Sequence, residues 1–97
     1  MNARTYEFNA VIQKVPDMDG AYIEIPFDLR AEFGKGRVPV RVTFDGEPYD
    51  GSAVNMGIKN PDGTVCHVIG MPKEIRMRTG KQPGDAVAVT LRERTRS

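Results

Sequence analysis

Apolar side chains occupy every second position through Val38, Val40, Val42 and Phe44, with Pro39, Arg41 and Thr43 between them. Successive strand residues point to opposite faces, so this is the pattern of a strand with one face buried. The same period runs through Val87, Val89 and Leu91, and through Tyr6-Glu7-Phe8 before the segment fills in at Ala10-Val11-Ile12. Ala21 to Ile25 and Thr64 to Ile69 read as further strands. The period changes after Ile25. Pro26 suits the first turn of a helix, Leu29 and Phe33 stand four apart on one face, and Gly34 supplies a stop, which predicts a helix over Phe27 to Phe33. Pro72 to Thr79, closed by Gly80, predicts a second. Turn chemistry fills Pro16-Asp17-Met18-Asp19-Gly20, Asn60-Pro61-Asp62-Gly63 and Gly84-Asp85. Asp45-Gly46 is the strongest hairpin signal, with a return strand from Glu47 to Ser52 that continues over Ala53 to Ile58. Pro39 donates no ladder hydrogen bond and is expected at an edge or a bulge.

Six to eight short strands at this spacing predict an all-β fold, a small barrel or sandwich; a closed β-barrel with two short helices, formed by residues 1–97 as one domain, is the expected form. Closure removes the exposed edges that so many strands create. Ten valines and six isoleucines against two leucines support the strand-rich reading, because β-branched side chains pack well on a pleated surface. The expected core is Phe8, Ile23, Ile25, Leu29, Phe33, Val40, Val42, Val68, Ile75, Val87 and Val89.

Two windows match at an offset of 46. Pro26-Phe27-Asp28-Leu29-Arg30, ending in Gly34-Lys35, aligns with Pro72-Lys73-Glu74-Ile75-Arg76, ending in Gly80-Lys81. Each follows an apolar strand and precedes a Val-rich one, so a pseudo-twofold internal repeat is expected. Residues Met71 to Leu91, through Pro72, Ile75, Arg76, Gly84, Asp85, Val87 and Val89, resemble the unit of the transition-state-regulator, swapped-hairpin DNA-binding family. In that family two short chains make the barrel as a dimer; here the repeat leads to the expectation that two units in one chain make it internally. Where that family carries basic residues before the first strand of the unit, this chain has Asp19-Gly20-Ala21 and Asp62-Gly63-Thr64.

A second resemblance covers nearly the whole chain. The order Ile25-Pro26-Phe27-Asp28, Val40-Arg41-Val42-Thr43-Phe44-Asp45-Gly46-Glu47-Pro48-Tyr49, Met56-Gly57, His67-Val68-Ile69-Gly70 and Gly84-Asp85-Ala86-Val87 is similar to the bacterial family catalogued as domain of unknown function nineteen-oh-five. It implies a small β-barrel with short helices, bacterial origin and no residue roles to transfer.

Chemistry is sparse. Cys66 is the only cysteine and His67 the only histidine, so a cysteine-based metal site and an intrachain disulfide are both excluded, and a reduced, cytoplasmic setting is expected. The alternation of a regular strand puts the two on opposite faces, so no thiolate–imidazole pair is expected and each is read as packing. Asp45, Glu47 and Asp50 read as solvated turn carboxylates. Neither a phosphate-binding loop nor a dinucleotide fingerprint occurs, and no cofactor, metal or catalytic residue is expected. No apolar run is long enough to span a bilayer.

Net charge is +1, but residues 1–50 carry six basic and nine acidic side chains, and residues 51–97 eight and four. Lys73, Arg76, Arg78 and Lys81 cluster on and after the second helix and are the candidate anion site, while Arg92, Arg94 and Arg96 alternate near the C-terminus. The expectation is a non-enzymatic binding or interaction module for a small molecule or a protein partner, placed in a surface groove beside a helix. A DNA- or anion-binding regulator is the alternative, and the weak overall basicity argues against nucleic acid. An enzyme is the third reading.

Overall fold

The structure, a computed structural model, describes residues 4–94 except 17, 18 and 35. Seven strands and two helices follow in the order β1 (Thr5–Val11), β2 (Gln13–Lys14), β3 (Ala21–Glu24), α1 (Leu29–Phe33), β4 (Val38–Phe44), β5 (Glu47–Lys59), β6 (Val65–Gly70), α2 (Lys73–Thr79) and β7 (Ala86–Glu93). They form one antiparallel sheet in the order β1-β7-β4-β5-β6-β3-β2. Lys35 and the end of the basic tail, Arg96 included, lie outside the described residues.

The all-β class stands, but the barrel is not closed. The sheet is an open half-barrel whose two ends are β1 and β2. These are consecutive segments with Ile12 between them, too close along the chain to turn back on each other as a ladder. Ile12 is buried and spends its backbone elsewhere, donating to the Asp85 carbonyl at 2.9 Å and accepting from Gly84 N at 2.8 Å.

The long strand β5 pairs with β4 through Ala53 and with β6 from Val54 onward, so it carries the sheet round from one half to the other. Its register shifts between Asn55 and Lys59, around Gly57 with φ 84°, whose amide donates to Asn55 Oδ1 at 2.8 Å. Such a bulge bends a strand and re-aims its side chains. The β4–β5 hairpin turns through Asp45 and Gly46 at φ 50° and 89°, the paired positive values of a type I′ turn. Pro39 corrects its expectation, since β4 is an interior strand. Its carbonyl accepts from Arg94 N at 2.8 Å, so its missing N–H faces the same side, where the ladder with β7 has already ended at Glu93.

The alternating residues Val38, Val40, Val42, Phe44, Val87, Val89 and Leu91 are buried together with Ile23, Ile25, Leu29, Ile69, Met71 and Ile75. Each such side chain contributes about 1.5–3 kcal/mol relative to exposure. Phe8 and Phe33, expected in the core, are only partly buried and pack against its rim. They belong to an aromatic seam instead: Tyr6 stacks on Phe27 at 4.5 Å and meets Phe33 edge-on at 5.6 Å, and Phe8 meets Phe27 edge-on. Tyr6 also donates to Glu32 Oε1 at 2.7 Å, tying α1 to β1.

Candidate functional site

The helix α1 begins at Leu29 rather than Phe27, because Asp28 is the residue that caps it: its carboxylate accepts from Ala31 N at 3.1 Å. Leu29 is fully buried and anchors the turn, and Gly34, at φ 75°, ends it with its amide on the Arg30 carbonyl. Pro26, Phe27, Asp28 and Arg30 thus form one wall of a cleft of about 950 Å³. The opposite wall is the turn between β5 and β6 (residues 60–64) together with Asn55, Val65 and His67.

That turn is held by its own hydrogen bonds. Asn60 N donates to the Thr64 carbonyl at 2.8 Å, Gly63 N to the Asn60 carbonyl at 2.9 Å, and Asn60 Nδ2 to Thr64 Oγ1 at 3.0 Å. Asp62 Oδ1 accepts from both the hydroxyl and the amide of Thr64, at 2.6 and 2.9 Å, and these bonds, the hydroxyl first, hold its carboxyl below the usual range. The rim is therefore organised by local chemistry.

His67 stands opposite Asn55 in the β5–β6 register and is 5% exposed. Its carbonyl accepts from Ile25 N at 2.8 Å, which fixes the end of β3 to β6. Its Nδ1 is buried and has no hydrogen-bond partner among the described residues, although the residue lines the cleft. An unpaired buried polar atom costs about 1–3 kcal/mol. Cys66, its neighbour, points elsewhere: its thiol donates to the His67 carbonyl at 3.8 Å, not to the imidazole. Burial, then the Glu24 carboxylate, pushes the Cys66 thiol up, the wrong direction for a nucleophile.

A smaller groove, about 260 Å³, lies beside α2 and is lined by Lys73, Arg76, Asp19, Tyr22, Tyr49 and Met56 among others. Of the four basic candidates, Lys73 and Arg76 share this groove; Arg78 and Lys81 do not line it. Arg76 faces Asp19 at 3.7 Å, and its Nε is buried without a hydrogen-bond partner among the described residues. Arg78 pairs with Glu74 at 2.6 Å along the helix. Lys81 donates to the Ala86 carbonyl at 2.9 Å and lies 3.6 Å from Asp45. Asp45 in turn accepts from Ala88 N at 2.8 Å, so this carboxylate fastens the hairpin tip to β7. Asp50 is taken by Arg41 in a two-pronged pair at 2.8 and 3.0 Å.

No group of three or more metal-ligating side chains occurs among the described residues. No helix among them is long and apolar enough to cross a membrane. A family described as Domain of unknown function (DUF1905) matches residues 8–91, from β1 into β7. The chain belongs to the DUF1905 family. No curated protein matches it. Membership in DUF1905 names no reaction and no ligand, so the chemistry of the site rests on its geometry.

By its spacing alone His67 is a packing residue. Its place in the cleft comes from a cross-strand relation: Asn55 meets His67 only once β5 and β6 are paired, and nothing in the local spacing of either residue announces that.

Proposed function

We propose that this chain is a non-enzymatic binding module that takes a small molecule in the cleft beside α1. The observation that supports this most is His67, a buried residue that lines the cleft and whose Nδ1 has no hydrogen-bond partner among the described residues. A concave site with apolar walls and a few convergent polar groups is the usual form of a small-molecule pocket. Phe27, Pro26, Pro61 and Val65 are apolar lining; Asn55, Arg30 and His67 are polar lining, beside Asp28 and the polar side chains of the turn at residues 60–64, which are engaged in capping and turn bonds. An enzyme is disfavoured because the only cysteine is held as a thiol and the carboxylates Asp45, Asp50 and Asp62 are each engaged in structural bonds. The buried, unpaired Cys66 also supports a cytoplasmic setting.

The test is a thermal-shift screen of the whole chain against metabolites, repeated on Val65→Phe, which puts a ring into the cleft from a half-buried strand position. A ligand at ten times its Kd stabilises by about 1.4 kcal/mol, or several degrees for a domain of this size. The hits are expected to stabilise the parent chain and lose that effect in Val65→Phe. Equal stabilisation of both proteins places the ligand elsewhere and ends this reading.

The α2 groove is a second reading, favoured by the buried, unpartnered Arg76 Nε beside Lys73. An anion held there by Lys73 and Arg76 has to compete with Asp19, and Arg78 and Lys81, outside the groove, face Glu74 and Asp45. A DNA-binding regulator is weaker still on the same grounds. A gel shift at low salt, where phosphate contacts are strongest, is expected to show no retarded duplex, and a retarded band restores that reading.

We further infer that the chain is an internal duplication. In support, β3 and β6 pair so that Ile23 faces Ile69, which is 46 residues away. Gly34 and Gly80, the same distance apart, take φ 75° and 70° and send their amides to the carbonyls of Arg30 and Arg76.

A further inference from the structure

The two grooves occupy corresponding places in the two halves. The residues Pro26 and Arg30 line the cleft beside α1; their counterparts at the offset of 46, Pro72 and Arg76, line the groove beside α2. Each groove is completed by residues that precede one of the paired strands β3 and β6, residues 60–64 before β6 in one and Asp19-Gly20 before β3 in the other. The arginines then differ in one respect. Arg76 has a carboxylate at 3.7 Å, that of Asp19, whereas Arg30 makes no side-chain ion pair or hydrogen bond among the described residues. The position offset from Asp19 is Val65, which has no charge to offer.

We propose, building on the reading of the α1 cleft as the ligand site, that this cleft recognises a small oxyanion. The Arg30 guanidinium takes a carboxylate or phosphate group of the ligand in the role that Asp19 plays for Arg76, and His67 and Asn55 face the rest of it. Three features carry this. First, the carboxylates that share the cleft are occupied: Asp28 caps α1 through Ala31 N, and Asp62 holds both donors of Thr64. Neither is turned on Arg30. Second, the guanidinium lies over a position with no side chain. A Cβ on Gly36, which also lines the cleft, would come within 2.8 Å of Arg30 Nη2. Third, polar capacity is left over on the facing strands, buried at His67 and exposed at Asn55. His67 is 5% exposed with Nδ1 unpaired, and Asn55 has its Oδ1 on Gly57 N, leaving its amide hydrogens for a ligand acceptor. With its proton on Nδ1 the imidazole is a donor as well. A charge-assisted contact from guanidinium to oxyanion is among the stronger hydrogen bonds, and its planar fork suits both carboxylate and phosphate. The apolar walls at Phe27, Pro61 and Val65 suit a flat organic body behind the anionic group.

The experiment titrates the isotopically labelled full chain with benzoate, with benzamide as its uncharged counterpart, and with inorganic phosphate. It follows the Arg30 Nε–H, the His67 ring and the backbone amides of residues 60–65 by NMR. Benzoate or phosphate is expected to shift these signals saturably, with benzamide at least about tenfold weaker. The stronger of the two anions identifies the source of the oxyanion. Arg30→Gln, a change at an exposed side chain that leaves the fold intact, is expected to bring the anion down to the benzamide level, while Arg76→Gln leaves its affinity unchanged. If benzamide binds as well as benzoate and Arg30→Gln alters neither, the oxyanion proposal falls while the cleft remains a binding site. If the shifts map to Lys73 and Arg76 instead, or no probe moves the cleft residues, both the proposal and the reading beneath it fall.

Discussion

Cys66 and His67 are adjacent, buried and apart in their chemistry, because strand alternation sends their side chains to opposite faces of β6 and both faces are covered. For Cys66 the consequence is measurable. Its thiol is raised, so as pH climbs past the ordinary thiol range the unfolded chain gives up its proton first, and stability falls from there upward. Urea midpoints across the alkaline range are expected to decline for the parent chain and to decline less for Cys66→Ala. Equal slopes contradict the assignment. On the acid side the sign reverses. Hydrogen bonds from Thr64 and from Arg41 hold Asp62 and Asp50 below the usual carboxylate range. Their contributions are present above that range and vanish as pH drops through the lowered values. Both sites are exposed, so the effect is small, and the Asp50→Asn/Asp62→Asn double variant should show a shallower acid decline in thermal midpoint.

Among elements, the helix stops were legible because they rest on backbone geometry that one residue type satisfies best. Gly80 sits at φ 70° with nothing near a hypothetical Cβ, so Gly80→Ala meets backbone strain alone and is expected to cost about 1–2 kcal/mol. Gly70 is the control: its φ is not positive and its Cβ would be 4.0 Å from the nearest atom, so Gly70→Ala should be close to neutral by urea unfolding. If the two cost the same, the left-handed stop is not what holds α2. The Asp45-Gly46 turn was legible for the same reason as Gly80. Less was readable where an element depends on distant partners. Asp28 was passed over as a cap because Pro26 offered an earlier start. The short β2 has too few residues for a period and exists only because β3 lies beside it. Pro39 was misplaced because its strand position depends on where β7 ends, 54 residues later along the chain.

At the scale of the molecule, alternation identified the buried face of β4 and β7 but not whether the sheet closes, since closure depends on which strands lie at the ends. Of the site, the sequence offered Arg30 only as half of a repeat, put the candidate anion site at Lys73, Arg76, Arg78 and Lys81 instead, and left His67 among packing residues; the meeting of Arg30 and His67 across one cleft is a product of α1 docking. Leu29 is the fully buried anchor of that docking. Leu29→Ala is therefore expected to cost about 2–5 kcal/mol, a large share of the stability of a domain this small, and to weaken any cleft ligand as well. A destabilised protein with unchanged affinity means that α1 does not shape the site.

The most direct test is a crystal structure of the full chain with the tightest hit from the metabolite screen. The account predicts that ligand between Pro26–Arg30 and the turn at residues 60–64, within hydrogen-bond distance of the Arg30 guanidinium, with its body against the His67 ring. A ligand seated beside α2, or on the β1–β7 face, contradicts it.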